Sequence, residues 1–173
     1  ENELRAISEQ VRVDQLTGVL NRRGLEDAFD TELARTQRSG QPFALALLDI
    51  DNFKLLNDSK GHSAGDQALV HLAQVIKDLL RPTDTVARYG GEEFVLLLPN
   101  TDIAQAVSVL QRLQRDLTKR FFLHNNEKLL ITFSAGVTLV NQAEARELAI
   151  ARADSAMYLA KRAGKNRVEV LLD

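Results

Sequence analysis

The segment Ala87–Asn100, ARYGGEEFVLLLPN, joins a pair of glycines and a pair of glutamates to a run of apolar residues. The apolar run Phe94–Leu98 ends at a proline and an asparagine, a pattern that predicts a buried strand. Thr85–Tyr89 alternates loosely between polar and apolar residues, which indicates a partner strand. Gly90 and Gly91 suit a tight hairpin between the two strands, because glycine accepts the positive φ of primed turns. We therefore expect an antiparallel hairpin here.

Outside this hairpin, hydrophobic periodicity predicts alternating helices and strands. The predicted helices cover Arg22–Arg38, Phe53–Asn57, a segment that begins at Asp66, Ile103–Lys119 and Ala145–Ala163; the predicted strands cover Phe43–Ile50, Leu129–Val140 and Val168–Leu172. Ser59–Asp66, SKGHSAGD, is predicted to be a loop, and Phe121–His124 is a candidate partner for Leu129–Val140. The order β-α-β-β-α-β, followed by an extra helix and strand, predicts an α/β (α+β) fold with a ferredoxin-like sheet core and helices packed on it.

The composition is that of one ordinary globular domain. The 173 residues allow a sizeable core, and 45% are apolar and 27% charged, which is typical of globular proteins. A net charge of −2 offers no broad basic surface, so we expect no nucleic-acid polymer as a partner. The absence of cysteine excludes disulfides and thiolate metal sites and suits a reducing compartment such as the cytoplasm. No apolar run approaches the ~20 residues of a membrane span, so we expect no membrane contact by this domain.

The N-terminal segment is predicted to be the end of a helix that enters from an upstream region. Glu1–Val13 carries Leu4, Ile7 and Val11 at helical spacing, and the first residue is not a methionine. We therefore expect residues 1–13 to belong to an upstream linker or signalling helix, and residues 14–173 to form the domain.

Carboxylates occur at the end of the first predicted strand and in the hairpin turn. Asp49 and Asp51 lie two apart, so they can point to the same side, although Asp51 could instead cap the short helix that follows it. Asp49 has no such local explanation, and in this strand order it lies beside the turn that carries Glu92 and Glu93. Like charges repel, so three carboxylates in one place require a cation or raised pKa values. Oxygen ligands with no His or Cys nearby favour Mg²⁺ over zinc.

Several motifs occur together in the chain: DQLTGVLNRR, DIDNFKLLND, GHSAGD, RYGGEEF and ADSAMYLAKRAGKNRV. Through them the chain, from about Asp14 to Val170, closely resembles the GGDEF family of diguanylate cyclases, in a GGEEF variant. The resemblance implies a fold similar to nucleotidyl cyclases and polymerase palms, and an enzyme that condenses two GTP into cyclic di-GMP and two pyrophosphates. Each domain of a homodimer would hold one GTP, and the 3′-hydroxyl of each GTP would attack the α-phosphate of the other. It further implies a cytoplasmic signalling domain, controlled by an upstream sensor or receiver domain in a parent protein that can be membrane-anchored.

The resemblance assigns the acidic residues to metal binding and catalysis. Asp49, the Ile50 carbonyl and Glu93 are the implied ligands of Mg²⁺, with Mn²⁺ as an alternative. Glu92 is implied to be the base for the 3′-hydroxyl or a ligand of a second metal. Lys54 resembles the family lysine that stabilises the charged transition state; a solvated helix lysine is the alternative. Phosphoryl transfer depends mainly on positioning and charge neutralisation, which this set of groups can supply.

Further motif residues are implied to bind GTP. Without side chains, Gly90 and Gly91 would let phosphate approach the backbone closely. Asn57 and Asp66 match the guanine-recognising pair, since a carboxylate can accept from guanine N1–H and N2–H₂ together; Asp66 could also cap the helix that begins there. His62, in the predicted loop, is either a contact to ribose or base or an incidental residue.

Basic residues near the end of the last predicted helix are implied to bind the phosphates. Lys161 and Lys165 lie four apart, which places them on one helix face. Favourable interaction with the helix dipole is the alternative explanation. Arg22 and Arg23, in the NRR segment, are expected to form a structural salt bridge.

The string RPTD, Arg81–Asp84, stands shortly before Gly90 and matches the spacing of the family's RxxD inhibitory site, which binds an intercalated dimer of cyclic di-GMP. Arg81 suits such a ligand because a guanidinium pairs with phosphate or guanine O6/N7, and Asp84 can accept from guanine N1–H and N2–H₂. Arg112 is a further candidate for this site. A simple turn after a helix is the alternative.

Three functions remain open at this point. The first is an active cyclase with product inhibition, which the intact signature acids favour. The second is a non-catalytic GGDEF domain that acts as a receptor for cyclic di-GMP or GTP. The third, a nucleotidyl transferase for another base, is disfavoured by Asn57 and Asp66.

Overall fold

The computed structural model describes residues 11–173 of the chain. The helices are α1 Arg22–Ser39, α2 Phe53–Lys60, α3 His62–Leu79, α4 Ile103–Lys119 and α5 Arg146–Arg162. The strands are β1 Phe43–Ile50, β2 Thr85–Arg88, β3 Glu93–Pro99, β4 Phe122–His124, β5 Glu127–Leu129, β6 Phe133–Val140 and β7 Val168–Val170. The helix predicted over Glu1–Val13 lies mostly outside the described residues. Its last residue, Val13, forms an antiparallel bridge with Leu20 rather than a helical turn.

The main sheet has five strands in the order β2-β3-β1-β6-β7. Neighbouring strands are antiparallel except β6 and β7, which are parallel. The strands β2-β3-β1-β6 with the helices between them form the predicted ferredoxin-like core, and α5 and β7 extend it. The predicted fold class and the predicted hairpin are therefore confirmed.

Helices cover both faces of the sheet, which explains why β1 is apolar along most of its length. All eight residues of β1 are buried. Ala44, Ala46 and Leu48 pack with α3 and α4 on one face, whereas Leu45 and Leu47 pack with α1 and α5 on the other. A strand that is buried on both faces shows a continuous apolar run instead of an alternating one.

The prediction of a loop over Ser59–Asp66 is wrong. Helix α2 continues to Lys60 and α3 begins at His62, so Gly61 alone connects the two helices. Gly61 has φ 93° and ψ 163°, a conformation that is essentially restricted to glycine. One glycine is thus sufficient for a connection that was predicted to take a longer polar loop. As a result Asp66 lies inside α3 and does not cap it.

The strand predicted over Leu129–Val140 is two separate strands. Leu129 is the last residue of β5, which pairs with β4 in a two-stranded hairpin, and β6 begins only at Phe133. Asn125 and Asn126 connect β4 and β5 with φ values of 49° and 66°, the conformation of a type I′ turn. Within residues 11–173, no helix is long and apolar enough to cross a membrane.

Candidate functional site

The end of β1 and the β2–β3 turn lie side by side, as the strand order predicts. Asp49 and Glu93 are direct partners in the antiparallel register of β1 and β3. The Tyr89 N–H donates to the Glu93 carbonyl at 2.8 Å, so the loop consists of Gly90, Gly91 and Glu92. Because this loop is longer than a two-residue primed turn, neither glycine needs a positive φ, and neither has one. The prediction of a primed turn is therefore wrong.

The two glycines differ in the space around them. A Cβ on Gly90 would overlap with the carboxylate of Glu93, whereas a Cβ on Gly91 would meet no atom of the described residues within 4 Å. The backbone at Gly91 is therefore accessible from the side on which other residues carry a Cβ. At Gly90 the nearest atoms belong to the Glu93 side chain, so a Cβ there would require the Glu93 carboxylate to move.

Burial and mutual repulsion raise the pKa values of the carboxylates at this edge. Burial is the main cause of the raised pKa of Asp49, and the hydrogen bond and charge of Lys161 oppose it. Burial and then the charge of Asp49 raise the pKa of Glu92, again against Lys161. The pKa of Glu93 is raised by burial and by the charges of Asp49 and Asp154. The site holds more negative charge than it neutralises, so a bound cation would be stabilised there.

The ammonium of Lys161 contacts two of the oxygen atoms that were predicted to bind a metal. Its Nζ donates to Asp49 Oδ1 at 2.8 Å and to the Ile50 carbonyl at 3.4 Å, and it lies 3.7 Å from Asp51 Oδ1. These three oxygens already surround the positive charge of the Lys161 ammonium. Oxygen atoms are also the ligands that hard metal cations prefer, so this set of atoms fits such a cation. In the part of the chain that the structure describes, however, no three acidic or histidine side chains are arranged to hold a metal. Asp49 and Glu93 are brought together by strand pairing, but Asp49, Glu92 and Glu93 do not form such a group among the described residues, and Lys161 is bound to Asp49.

Asp51 does not cap α2. The residue at the N-cap position is Asn52, which makes no side-chain capping bond. Asp51 instead accepts from Thr132 Oγ1 at 2.7 Å, Ser134 Oγ at 2.6 Å and the Asn166 N–H at 2.9 Å. Both oxygens are satisfied, so Asp51 fixes the turn after α5 to the end of the sheet.

Lys165 is not on the same helix face as Lys161. Helix α5 ends at Arg162, and Gly164, Lys165 and Asn166 all have positive φ values of 127°, 65° and 50°. The side chain of Lys165 donates to Asn52 Oδ1 at 2.6 Å. Both lysines therefore reach the end of β1, one from the helix and the other from the turn after it.

The residues predicted to recognise guanine lie where α2 meets α3. Asn57 Oδ1 is buried and has no hydrogen-bond partner among residues 11–173. Asp66 is exposed and lines a groove of about 510 Å³ together with Leu16 and Ser63. His62 is the first residue of α3 rather than part of a loop, and it is exposed. Lys54 is exposed on the first turn of α2, after the acidic residues.

Sequence analysis missed Asp154 as a contributor to the site, and it did not predict the contact that Arg22 makes there. Asp154 shares a cavity of about 440 Å³ with Asp49 and Lys161; its spacing of seven residues from Lys161, two helical turns, was the available signal. The guanidinium of Arg22 lies 4.0 Å from the centroid of the Tyr89 ring and donates to the Tyr89 carbonyl at 3.2 Å. Arg22 therefore supports the hairpin next to the glycine loop.

The RPTD segment lies at the other end of β2. Arg81 pairs with Asp84 at 2.9 Å, and also donates to the Pro99 carbonyl and to Thr101 Oγ1, both at 3.1 Å. Arg81, Asp84 and Arg112 line a cavity of about 190 Å³. The Asp84 N–H donates to the Arg81 carbonyl at 3.0 Å, so the simple turn is present as well.

The order of the strands and the acidic strand ends define a palm-like domain of the α+β class. The chain belongs to the diguanylate cyclase GGDEF domain family, whose model matches residues 11–167.

Named relatives support this assignment. Diguanylate cyclase DgcP of Pseudomonas aeruginosa is 46% identical over 157 residues, which make up 91% of this chain and 23% of DgcP. The GGDEF domain of DgcB from Caulobacter crescentus, solved in complex with c-di-GMP, matches with a TM-score of 0.87 and 35% identity, covering 93% of this chain and 96% of that one. The active GGEEF domain of a diguanylate cyclase from Vibrio cholerae matches with a TM-score of 0.80 and 35% identity, covering 87% and 96%. The chain thus spans about a quarter of the length of DgcP.

Proposed function

We propose that this domain is a diguanylate cyclase, which joins two GTP molecules into cyclic di-GMP and releases two pyrophosphates. The observation that carries the proposal is the pairing of Asp49 with Glu93 beside the open backbone of Gly91, in a chain whose relatives include an active GGEEF domain. One GTP would be bound by each domain of a homodimer. The 3′-hydroxyl of each GTP would attack the α-phosphate of the other, and pyrophosphate would leave.

The acidic residues would hold the metal and accept the proton. Asp49, the Ile50 carbonyl and Glu93 would ligate Mg²⁺, or Mn²⁺ in its place, and the metal would neutralise charge on the phosphates. Glu92 would take the proton of the 3′-hydroxyl or join a second metal. Its raised pKa suits a proton acceptor, because a base works best when its pKa is close to the working pH.

The basic residues would bind the triphosphate. Lys161 now pairs with Asp49 and Ile50, and phosphate oxygens would replace these partners when GTP binds. Lys165 would exchange Asn52 for phosphate in the same way. Lys54, exposed nearby, would stabilise the charge that develops in the transition state.

Guanine would be recognised at the junction of α2 and α3. The Asp66 carboxylate would accept from guanine N1–H and N2–H₂, and the Asn57 amide would complete the base contact. His62, exposed at the start of α3, would lie close enough to contact the ribose. Adenine does not offer the same pair of donors, so GTP would be preferred to ATP.

Cyclic di-GMP would inhibit the enzyme by binding at Arg81, Asp84 and Arg112. The cavity that these residues line supports this assignment, because its charged groups suit phosphate and guanine. The site is at the opposite end of β2 from the glycine loop, so inhibition would be non-competitive with GTP. In the parent protein, residues 1–13 would connect this cytoplasmic domain to an upstream sensor or receiver domain.

Product analysis tests the proposal directly. The domain is incubated with GTP and Mg²⁺, and the nucleotides are separated and identified by mass spectrometry. We expect cyclic di-GMP and pyrophosphate from GTP, and no cyclic product from ATP. Binding of GTP or cyclic di-GMP without turnover would instead indicate a receptor domain, and consumption of ATP would indicate a different nucleotidyl transferase.

A further inference from the structure

Gly65 lies in the second turn of α3, directly against the side chain of Asn57. A Cβ at position 65 would overlap with Asn57 Oδ1, and would lie 2.9 Å from Cγ and 3.2 Å from Nδ2 of the same residue. All of the nearest atoms belong to this one amide. The missing side chain of Gly65 therefore makes room specifically for Asn57.

The connection between the helices brings the two residues together. The Gly61 N–H donates to the Asn57 carbonyl at 2.8 Å, and the Gly65 N–H donates to the Gly61 carbonyl at 3.4 Å. The junction thus links three residues that are four positions apart, since Gly61 is hydrogen-bonded to Asn57 on one side and to Gly65 on the other. Gly65 is buried, and Ala64 and Ala68 on the same helix are fully buried, so this part of α3 is packed against the rest of the domain. A side chain at position 65 would displace Asn57.

The amide oxygen of Asn57 is held in place by packing. It is buried and has no hydrogen-bond partner in the described part of the chain, which is unfavourable for a polar atom. Glycine in a helix interior is also unfavourable compared with alanine. Two unfavourable features in direct contact point to a functional reason for this arrangement.

We propose that Gly65 is a positioning residue for base specificity: it seats the Asn57 oxygen against α3 and so directs the Asn57 amino group toward guanine O6. This inference rests on the proposed binding of GTP. Asp66, the next residue after Gly65, would accept from guanine N1–H and N2–H₂ while the Asn57 amino group donates to O6. Adenine has an amino group in place of O6 and would meet a second donor there. The contact between Gly65 and Asn57 therefore contributes to the preference for GTP over ATP.

A double-mutant cycle separates this role from a general effect on folding. Urea denaturation without nucleotide is used to compare four proteins: the unsubstituted domain (the parent), Gly65→Ala, Asn57→Ala and the double variant. If position 65 acts through Asn57, Gly65→Ala raises the urea midpoint in the Asn57→Ala background, where the amide is gone and the helix gains alanine. In the parent background the same change lowers the midpoint or leaves it unchanged. An equal shift in both backgrounds contradicts the contact.

Nucleotide binding is measured for the same four proteins by calorimetry with non-hydrolysable analogues of GTP and ATP. We expect Gly65→Ala and Asn57→Ala each to weaken binding of the GTP analogue about tenfold or more, with little change for the ATP analogue. The double variant should bind no more weakly than Asn57→Ala alone. Unchanged affinity and GTP preference in Gly65→Ala would overturn the inference. Failure of the parent itself to bind the GTP analogue would overturn the proposed function, while the denaturation cycle would still test the packing.

Discussion

Asp51 accepts hydrogen bonds from Thr132, Ser134 and the Asn166 N–H, and its side chain is 1% exposed. From sequence alone it could have capped α2 or bound a metal, because both uses require only an acid after a strand. The three donors come from β6, the segment before it and the turn after α5. The role of Asp51 is therefore decided by tertiary contacts, and we assign it to holding that turn in place.

Replacing Asp51 by Asn keeps the shape of the side chain but puts an amino group where an oxygen accepts. At least one of the three donors then loses its acceptor in a buried site. We expect Asp51→Asn to lower the free energy of unfolding by about 1–3 kcal/mol, measured by urea denaturation. Asp58→Asn, at an exposed position on α2, is the matched control and should change it by less than ~0.5 kcal/mol. Equal effects of the two changes would contradict the role assigned to Asp51.

Glu32 provides a test of pH dependence away from the candidate site. Burial raises its pKa above the ordinary value of 4.5, and Arg35 opposes this shift. The folded state therefore holds the proton more tightly than the unfolded state, and this contribution to stability is lost as the pH rises above about 4.5. We expect Glu32→Gln to become more stable relative to the parent between pH 4 and pH 7.

The opposite sign is expected for Asp14. Although burial would raise its pKa, hydrogen bonds from Thr17 and the charge of Arg88 lower it below 3.8. This contribution is present at neutral pH and is lost as the pH falls through the lowered value. Asp14→Asn should therefore be less stable than the parent at neutral pH, by a margin that shrinks in acid. A pH-independent difference for both variants would contradict the assigned shifts.

At the scale of the elements, the junction of α2 and α3 depends on one residue. Gly61 ends α2, begins α3 and has φ 93°, and both helices carry residues of the candidate site. Within residues 11–173, no atom lies within 4 Å of where a Cβ at Gly61 would be, so these residues leave space at this position. The position is restricted instead by its backbone conformation.

Gly61→Ala tests this directly. We expect a loss of about 1–3 kcal/mol in the free energy of unfolding, because a residue with a Cβ is strained in this conformation. The same change should weaken GTP binding, since Asn57 and Asp66 lie on opposite sides of the junction. Urea denaturation and calorimetry measure the two effects. A Gly61→Ala protein as stable as the parent would show that the junction tolerates another conformation.

Periodicity predicted most of the elements, because long apolar or amphipathic segments are buried in the way their pattern indicates. Ile103–Lys119 was predicted with the bounds that α4 has. The errors occurred where short polar segments determine the ends of helices and strands. Gly61 replaces an expected loop, and the Asn125–Asn126 turn divides an expected long strand. In both cases the backbone conformation of one or two residues sets the boundary, and hydrophobic pattern carries no information about it.

At the scale of the whole molecule, the pairing of Asp49 with Glu93 could be predicted from strand order. The contact between Asp49 and Lys161 could not be predicted in this way, because it depends on how α5 packs on the sheet and strand order does not determine that packing. The proposed product site is at the far end of β2 from the glycine loop, so bound product would not contact GTP directly. It would instead have to inhibit turnover by changing how the two domains of the homodimer are arranged.

The inhibitory role is best tested at Arg112. Arg81 also contacts Pro99 and Thr101, so its removal would disturb folding as well as binding. Arg112 is exposed on α4, and Arg112→Ala should retain the stability and the initial rate of the parent. We expect its affinity for cyclic di-GMP to fall about tenfold, as the loss of a charged hydrogen bond implies. Calorimetry measures this affinity, and unchanged affinity would contradict the proposed site.

The central claim is that the acidic residues beside the glycine loop make cyclic di-GMP from GTP. The most direct measurement is the rate of cyclic di-GMP formation, at saturating GTP and Mg²⁺, by the parent, Glu93→Gln and the control Glu147→Gln. Glu93→Gln removes one charge from the proposed metal site, whereas Glu147 is exposed on α5. We predict that Glu93→Gln folds normally and loses about 10²–10³-fold in rate, and that Glu147→Gln matches the parent. Absence of cyclic di-GMP from the parent, or an equal rate for folded Glu93→Gln, would contradict the account.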